Sequence, residues 1–382
     1  MNTLPEGFQT YDEARKNSFL KVKDFKDNGG RVVGIFCTFT PSELIMAADA
    51  IPIGLCGQSN EPVAAAEKVL PKNLCPLIKS SFGFAYTDTC PFFYFADMIM
   101  AETTCDGKKK MYEQLGKIKY THVMQLPPGR FGKGAFDNWK LEMIEAKEVL
   151  EKQFNITISD EKIRESIIKK NEERRAMLDY YEIGKLNPCP ASGYEISTIS
   201  DSTQFMLDID ERIAFLKKRT TELKDKYEKE FKGKTSTRPR ILITGCPSGG
   251  VRDKVIKTIE QLGADIVGFE SCSGPREKMN FVDETIDPIT ALTDKYLKVS
   301  CSVMSPNPGR FEAIEYMLNE YQIDGVVEVI LHACHTFNVE SYEVKDFVTN
   351  KMNKKYISIE TDYSPSDTEQ INTRLSAFLE LF

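Results

Sequence analysis

Apolar and polar positions alternate along this chain in two similar stretches, separated by a long amphipathic one. Residues 1–24 carry apolar side chains at helical spacing. In GRVVGIFCTFTPSELIMAADAIPIGLCG (30–57) the pattern predicts a strand, a turn, a helix opening near Pro41-Ser42-Glu43 and a second strand, IPIGL. Proline suits a first helical turn because its missing N–H would find no partner there. KNLCPLIKSSFGFAYT predicts a short strand or turn ending at Cys75, then a helix. FADMIMAETTCDGKKK and YTHVMQLP each predict a strand with a turn behind it, and Asp106-Gly107 supplies the first turn.

From Phe136 to Lys234 the pattern changes. NWKLEMIEAKEVLEKQF, SDEKIRESIIKKNEERRAMLDYYEIGKL and MLDIDERIAFLKKRTTELKDKYEKEF place apolar residues at helical spacing among dense charges, with a break at NPCPASG (187–193). At RPRILITGCPSGGVRDKVIKTIEQLGADIVGFESCSG the strand–turn–helix–strand pattern starts again, and it closes at KKYISIETDYS. Strands alternating with helices indicate parallel sheets. The predicted class is α/β, with two Rossmann-like, doubly wound parallel-sheet domains facing a cleft. The boundaries are 1–135 for the first domain, 136–236 for a helical insertion and 237–382 for the second domain.

Composition narrows the function. The chain has 382 residues, 41% hydrophobic and 28% charged, as in soluble globular proteins. A net charge of -7 gives nucleic acid no basic face to meet. No signal-peptide core opens the sequence and no apolar run approaches a membrane span, so the expected location is cytoplasmic, with no membrane partner. Ten cysteines in that compartment point away from disulfides. With no CxxC pair, zinc ribbons, thioredoxin-like chemistry and the tight ferredoxin spacing are also excluded.

The cysteines follow the repeat. Cys37 and Cys246 end the first strands of the two units, and Cys56 and Cys272 follow the second strands. Cys75 and Cys301 each precede a helix, and Cys105 and Cys334 follow the next strand. Eight of ten therefore lie at carboxyl ends of predicted strands, the edge where open α/β sheets bind ligands. Taken singly, each is a small buried hydrophobe. Taken together, they predict a metallocluster held by thiolates from both domains, because iron–sulfur chemistry commonly takes so many.

LCPLIKSS with Cys75, ETTCDGKKKMYE with Cys105 and DGVVEVILHACHTF with Cys334 resemble the 2-hydroxyacyl-CoA dehydratase and benzoyl-CoA reductase superfamily. The likeness extends along the chain through GRVVGIFCTFTPSEL and ISIETDYS. It implies one [4Fe-4S] cluster held by Cys75, Cys105 and Cys334. The additional cysteines, Cys272 in FESCSG and Cys301 in VSCSVMSPN, make the chain look more like the single-subunit branch of double-cubane cluster proteins. There six cysteines hold two [4Fe-4S] cubanes joined by a sulfide. Cys272 and Cys301 are then expected in the second trio. Cys246, Cys90, Cys56 and Cys37 compete for its last place, and Cys246 is chosen because its glycine-rich turn lets backbone N–H groups approach cluster sulfur.

The resemblance implies a homodimer and a separate ATP-hydrolysing [4Fe-4S] reductase as electron donor, with reduction of a small molecule as the expected activity. The alternatives are a single-cluster subunit of a radical 2-hydroxyacyl-CoA dehydratase and a non-catalytic electron-transfer protein. GCPSGGVRDK (245–254) fails the P-loop pattern but leaves a helix N-terminus open to a cluster or a CoA phosphate. Of three histidines, His332 and His335 flank Cys334. His335 is expected to supply protons, and His332 to pack structurally. Glu360 is expected as a catalytic acid, while Asp362 or Ser364 serves equally as a helix cap. FFYFAD reads as core. The lysines after Cys105 read as a solvated turn, with charge compensation of a cluster or docking of an acidic partner as the other uses.

Overall fold

A computed structural model describes residues 20–272 and 274–382. Most of the amphipathic lead-in over 1–24 lies outside the described residues, and its end is helical from residue 20 to 27. Two parallel four-stranded sheets form. The first has strands β1 (Arg31–Ile35), β2 (Ala50–Gly54), β3 (Met98–Glu102) and β4 (Thr121–Met124) in the order β2-β1-β3-β4. The second has β5 (Arg240–Gly245), β6 (Asp265–Glu270), β7 (Gly325–Leu331) and β8 (Lys355–Thr361) in the order β6-β5-β7-β8. The two orders coincide, so the repeat in sequence is a repeat in space and the fold is a pair of Rossmann-like domains. Strands β3, β5 and β7 are buried at every position. Helices cover both sides of such a sheet, which is why their sequences run apolar without alternating.

Around the first sheet lie α1 (Ser42–Ala47), α2 (Pro76–Tyr86) and α3 (Asp106–Leu115). Two local readings are corrected here. The strand predicted from FADMIM begins only at Met98, and the apolar run PFFYF before it is a short helix, Pro91–Phe95. Its aromatic burial is real, with Phe92 and Phe93 in the core. Asp106-Gly107 is not a turn but the opening of α3, with Cys105 as N-cap and Asp106 in the first turn. The local Asp-Gly signal yields because an acidic residue is also favoured at a helix N-terminus.

The insertion forms α4 (Ala135–Phe154), α5 (Asp160–Tyr181), α6 (Gly193–Thr203) and α7 (Ile209–Lys226). Ser159, Ser192 and Asp208 cap the last three with side-chain oxygens. The second sheet carries α8 (Arg252–Gln261), α9 (Pro288–Leu297), α10 (Pro308–Glu320), α11 (His335–Asp346) and α12 (Thr368–Leu379). The insertion packs on both domains: α5 lies on α1, α4 on α9 and α6 on β6. At Gly184 a Cβ would stand 1.9 Å from the carbonyl oxygen of Val267, so this glycine lets the insertion press on edge strand β6 and shield it. None of the helices among the described residues is long and apolar enough to cross a membrane.

A buried ion network ties the three parts together. Arg174 on α5 donates to Glu43 of α1 at 2.7 Å, and to Glu277, beyond β6, at 2.8 and 2.9 Å. Tyr296 on α9 donates its hydroxyl to the other oxygen of Glu43 at 2.7 Å, and Lys295 donates to Glu277. Burial works against the Glu43 carboxylate, but Arg174 and then Lys295 hold it below the ordinary carboxylate range. Removing the guanidinium would leave two buried carboxylates short of a partner. Arg174→Ala is therefore expected to lose about 3–5 kcal/mol of stability, read as a lower urea midpoint. An unchanged midpoint would show that the network does not join the domains.

Candidate functional site

The carboxyl edges of the two sheets face a single cavity of about 760 Å³, and eight cysteines line it: Cys37, Cys56, Cys75, Cys105, Cys246, Cys272, Cys301 and Cys334. These are the eight whose positions repeat between the halves. Cys90 and Cys189 stand apart. The sulfur of Cys90 caps the helix Pro91–Phe95, accepting from Phe93 N at 3.4 Å, and Cys189 reaches the carbonyl of Ile183 at 3.7 Å. All ten are free thiols. Among the described residues no three Cys, His, Asp or Glu side chains converge as the ligands of one metal ion would.

The backbone aims these sulfurs. Cys75, Cys105 and Cys334 are the N-cap residues of α2, α3 and α11, so each of these sulfurs stands beside a helix N-terminus. Cys246 follows Gly245, whose φ of +106° and close approach to β7 exclude a side chain. A Cβ there would meet the Val329 carbonyl oxygen at 2.2 Å. The Cys246 sulfur then accepts from Leu331 N at 3.4 Å. Ala333 makes the corresponding left-handed step before Cys334, with φ of +56°.

The thiols fall into two sets. In the first, hydrogen bonds from Cys246 and then Cys75 hold Cys334 well below the ordinary thiol pKa. Both partners are pushed above it, Cys246 by burial first and Cys75 by its bond to Cys334 first. In the second, a bond from Cys301, followed by Arg276 and Lys108, lowers Cys272. Arg276 donates to that sulfur at 3.4 Å. Cys37 interacts with Cys272 and Cys301, and its own pKa is pushed up to about 12 by burial. The sequence reading placed Cys246 with Cys272 and Cys301. The structure sets it beside Cys334, because strand β5 lies next to β7.

Two cations serve the thiols. Arg276 is locked by Glu270, donating at 2.6 and 3.0 Å. Arg310 extends this network to Thr244 at 3.0 Å and to Glu328 at 2.7 Å. Lys108 is buried, and its ammonium donates to the Phe36 carbonyl at 3.0 Å. Glu102 lies nearby, but burial raises it to about 8, so near neutral pH it is largely protonated. The groups that favour the Lys108 charge are Tyr112, Cys37, Cys56 and Cys105. Of the three lysines after Cys105, only Lys109 and Lys110 form a solvated surface, paired with Asp106 and Glu113.

His335 lines the cavity, whereas His332 lies outside it, 3.9 Å from Asp362. Glu360 is not brought to the cavity. It is exposed on β8, while its neighbour Thr361 turns inward. Asp362 accepts from Ser364 N at 2.7 Å and so closes a local turn. The glycines of GCPSGG are occupied by protein. A Cβ at Gly250 would stand 2.5 Å from the Gln58 carbonyl, and Gly250 N donates to the Gln58 side chain at 3.2 Å. Gly249 and Gly250 permit contact between the domains rather than a phosphate cradle.

Comparison with known proteins adds to this geometry. Residues 37–382 match the family model for 2-hydroxyglutaryl-CoA dehydratase, D-component. A putative dehydratase subunit of Escherichia coli K12, YjiM, is 46% identical over 99% of this chain and 98% of its own. The (R)-phenyllactyl-CoA dehydratase beta subunit of Clostridium sporogenes is 24% identical over 94% of each chain. A benzoyl-CoA reductase subunit of Thauera aromatica is 22% identical over 82% of this chain and 81% of its own. These relatives are subunits of multi-component dehydratases and reductases.

The thiol sets predict an order of reactivity. In metal-free protein at about pH 7, iodoacetamide should label Cys272 and Cys334 before Cys37, although all three are only partly buried. A lowered pKa leaves thiolate at neutral pH, whereas Cys37 should gain reactivity only in strong alkali. Peptide mass spectrometry across pH reads the order, and equal labelling at neutral pH would contradict it.

Proposed function

The chain belongs to the 2-hydroxyglutaryl-CoA dehydratase D-component family, and from that membership we propose that it is a low-potential iron–sulfur reductase of a small molecule. The observation that carries this reading is the meeting of eight reduced thiols from two domains on one cavity. The donor set suits iron–sulfur clusters in number and softness. Lys108 and Arg276 supply positive charge beside it.

We assign Cys75, Cys105 and Cys334 to one [4Fe-4S] cubane and Cys37, Cys272 and Cys301 to the other, with a sulfide joining the pair. Cys37 thus takes the place first given to Cys246. Support comes from proximity: Cys37 interacts with Cys272 and Cys301, whereas Cys246 interacts with Cys334 and Cys75, and Cys56 donates its thiol proton to the Phe36 carbonyl at 3.0 Å. The cubanes supply low-potential electrons. The protein's own residues do the rest. Helix N-termini, Lys108 and Arg276 balance negative charge at sulfur, the apolar wall of Ile35, Phe36, Leu77 and Ile78 limits water, and His335 stands at the cavity to deliver a proton. Electrons come from a separate ATP-hydrolysing [4Fe-4S] reductase, and the working unit is a homodimer.

A dehydratase-type subunit with one cubane is the second reading, favoured by the name of the 46% identical relative. Iron and acid-labile sulfide per chain after anaerobic purification separate the two. About eight irons fit paired cubanes, and Cys301→Ser should then drop the content to about four. About four irons in the unaltered protein favour the dehydratase subunit, and none overturns both.

A further inference from the structure

One part of the cavity wall is lined by charge rather than sulfur. Lys170, Arg212 and Lys278 reach it together with Glu173 and Glu277, with side chains at most 19% exposed. Behind them lie Glu43, Arg174 and Lys295. Among the described residues the ion pairs of these eight side chains run only among themselves: Lys170 and Arg212 with Glu173, Arg174 with Glu43 and Glu277, Lys278 and Lys295 with Glu277. Five basic side chains therefore share three carboxylates; burial, and then Arg174, lower Lys295 to about 7, so the lasting positive charge rests with Lys170, Arg174, Arg212 and Lys278. A buried surplus of positive charge is costly unless an anion enters.

The surplus is concentrated at Lys278. Among the described residues its nearest carboxylate oxygen is 3.8 Å away and its one hydrogen bond goes to the Gly274 carbonyl at 3.3 Å, which leaves an ammonium with donor capacity to spare. Burial pushes its pKa down, and Lys170 and Arg174 add repulsion against the pull of Glu277. These lysines act on Glu277, whereas the cations that act on the thiols are Lys108 and Arg276. The charged wall and the sulfur wall are thus separate parts of one cavity.

We propose that Lys278 and Lys170 bind the oxyanion group of a small substrate, a free carboxylate or an inorganic oxyanion, while the rest of the molecule faces the thiols. This names a substrate class for the reductase reading and rests on it.

Isothermal titration of the anaerobically purified protein with acetate, inorganic phosphate and coenzyme A tests the assignment. Saturable binding of acetate or phosphate is expected, and the better ligand tells a carboxylate from an inorganic oxyanion. Lys278→Gln and Lys170→Gln should each weaken it about 10-fold. Lys278→Arg, which keeps the charge, should bind, and the exposed Lys110→Gln should match the unaltered protein. Binding of neither small anion overturns the proposal. So does an affinity unchanged in both glutamine variants, or coenzyme A binding alone. Iron is counted in the same samples. Iron without anion binding overturns this assignment only, and anion binding without iron overturns the cluster reading only.

Discussion

The guanidinium of Arg174, enclosed between Glu43 and Glu277, is the contact on which the cavity depends. Two sheets built on the same plan do not by themselves face each other at any particular distance. Glu43 belongs to the helix that follows Cys37, Glu277 lies shortly after Cys272, and Lys295 and Tyr296 precede Cys301. One buried network therefore sets the relative positions of three thiol-bearing loops. Charges removed from water tolerate little displacement, since each ångström away from a partner restores part of the desolvation cost. An apolar interface of similar area would let the domains slide.

A second network fixes the chemistry at closer range. Arg276 spans Glu270 and the Cys272 sulfur, and Arg310 binds Glu270, Thr244 and Glu328 across three neighbouring strands. Both guanidinium groups lie over the Phe337 ring, 5.2 and 4.8 Å from its centre, in the helix that Cys334 caps. The cation beside Cys272 is thus braced by the same strands that present the sulfur. Lys108 differs: it is buried with a carbonyl rather than a carboxylate as its hydrogen-bond acceptor, and the groups around it that favour its charge are Tyr112 and three cysteines.

Much of the fold was legible because its signals are local. The apolar strand runs, the helical spacing of the insertion and the recurrence of one pattern in both halves all depend on neighbours a few residues apart. The cysteines at strand ends were legible for the same reason, and so was the membership of Cys75, Cys105 and Cys334 in conspicuous motifs. Local signals failed where two of them competed. Asp106-Gly107 carries a turn signal, yet Asp106 also suits the first turn of a helix, which is where the structure places it. PFFYF has the apolar content of a strand, yet it forms a helical turn capped by Cys90 before the sheet begins.

The sequence alone determined that parallel strands would carry thiols to their carboxyl ends, because chain direction and spacing settle which end of a strand a residue occupies; six of the eight cavity thiols do follow strands, while Cys75 and Cys301 reach the cavity from loops that precede helices. Only the tertiary structure decided which thiols meet. Cys246 joins Cys334 because β5 pairs with β7, and Cys37 approaches Cys272 because the domains face each other. It also turned Gly249 and Gly250 toward Gln58 and left Glu360 on the outside of β8. Contacts between residues as distant in the chain as Cys37 and Cys272 leave no periodic trace, because nothing in the spacing along one segment records which distant segment will lie against it.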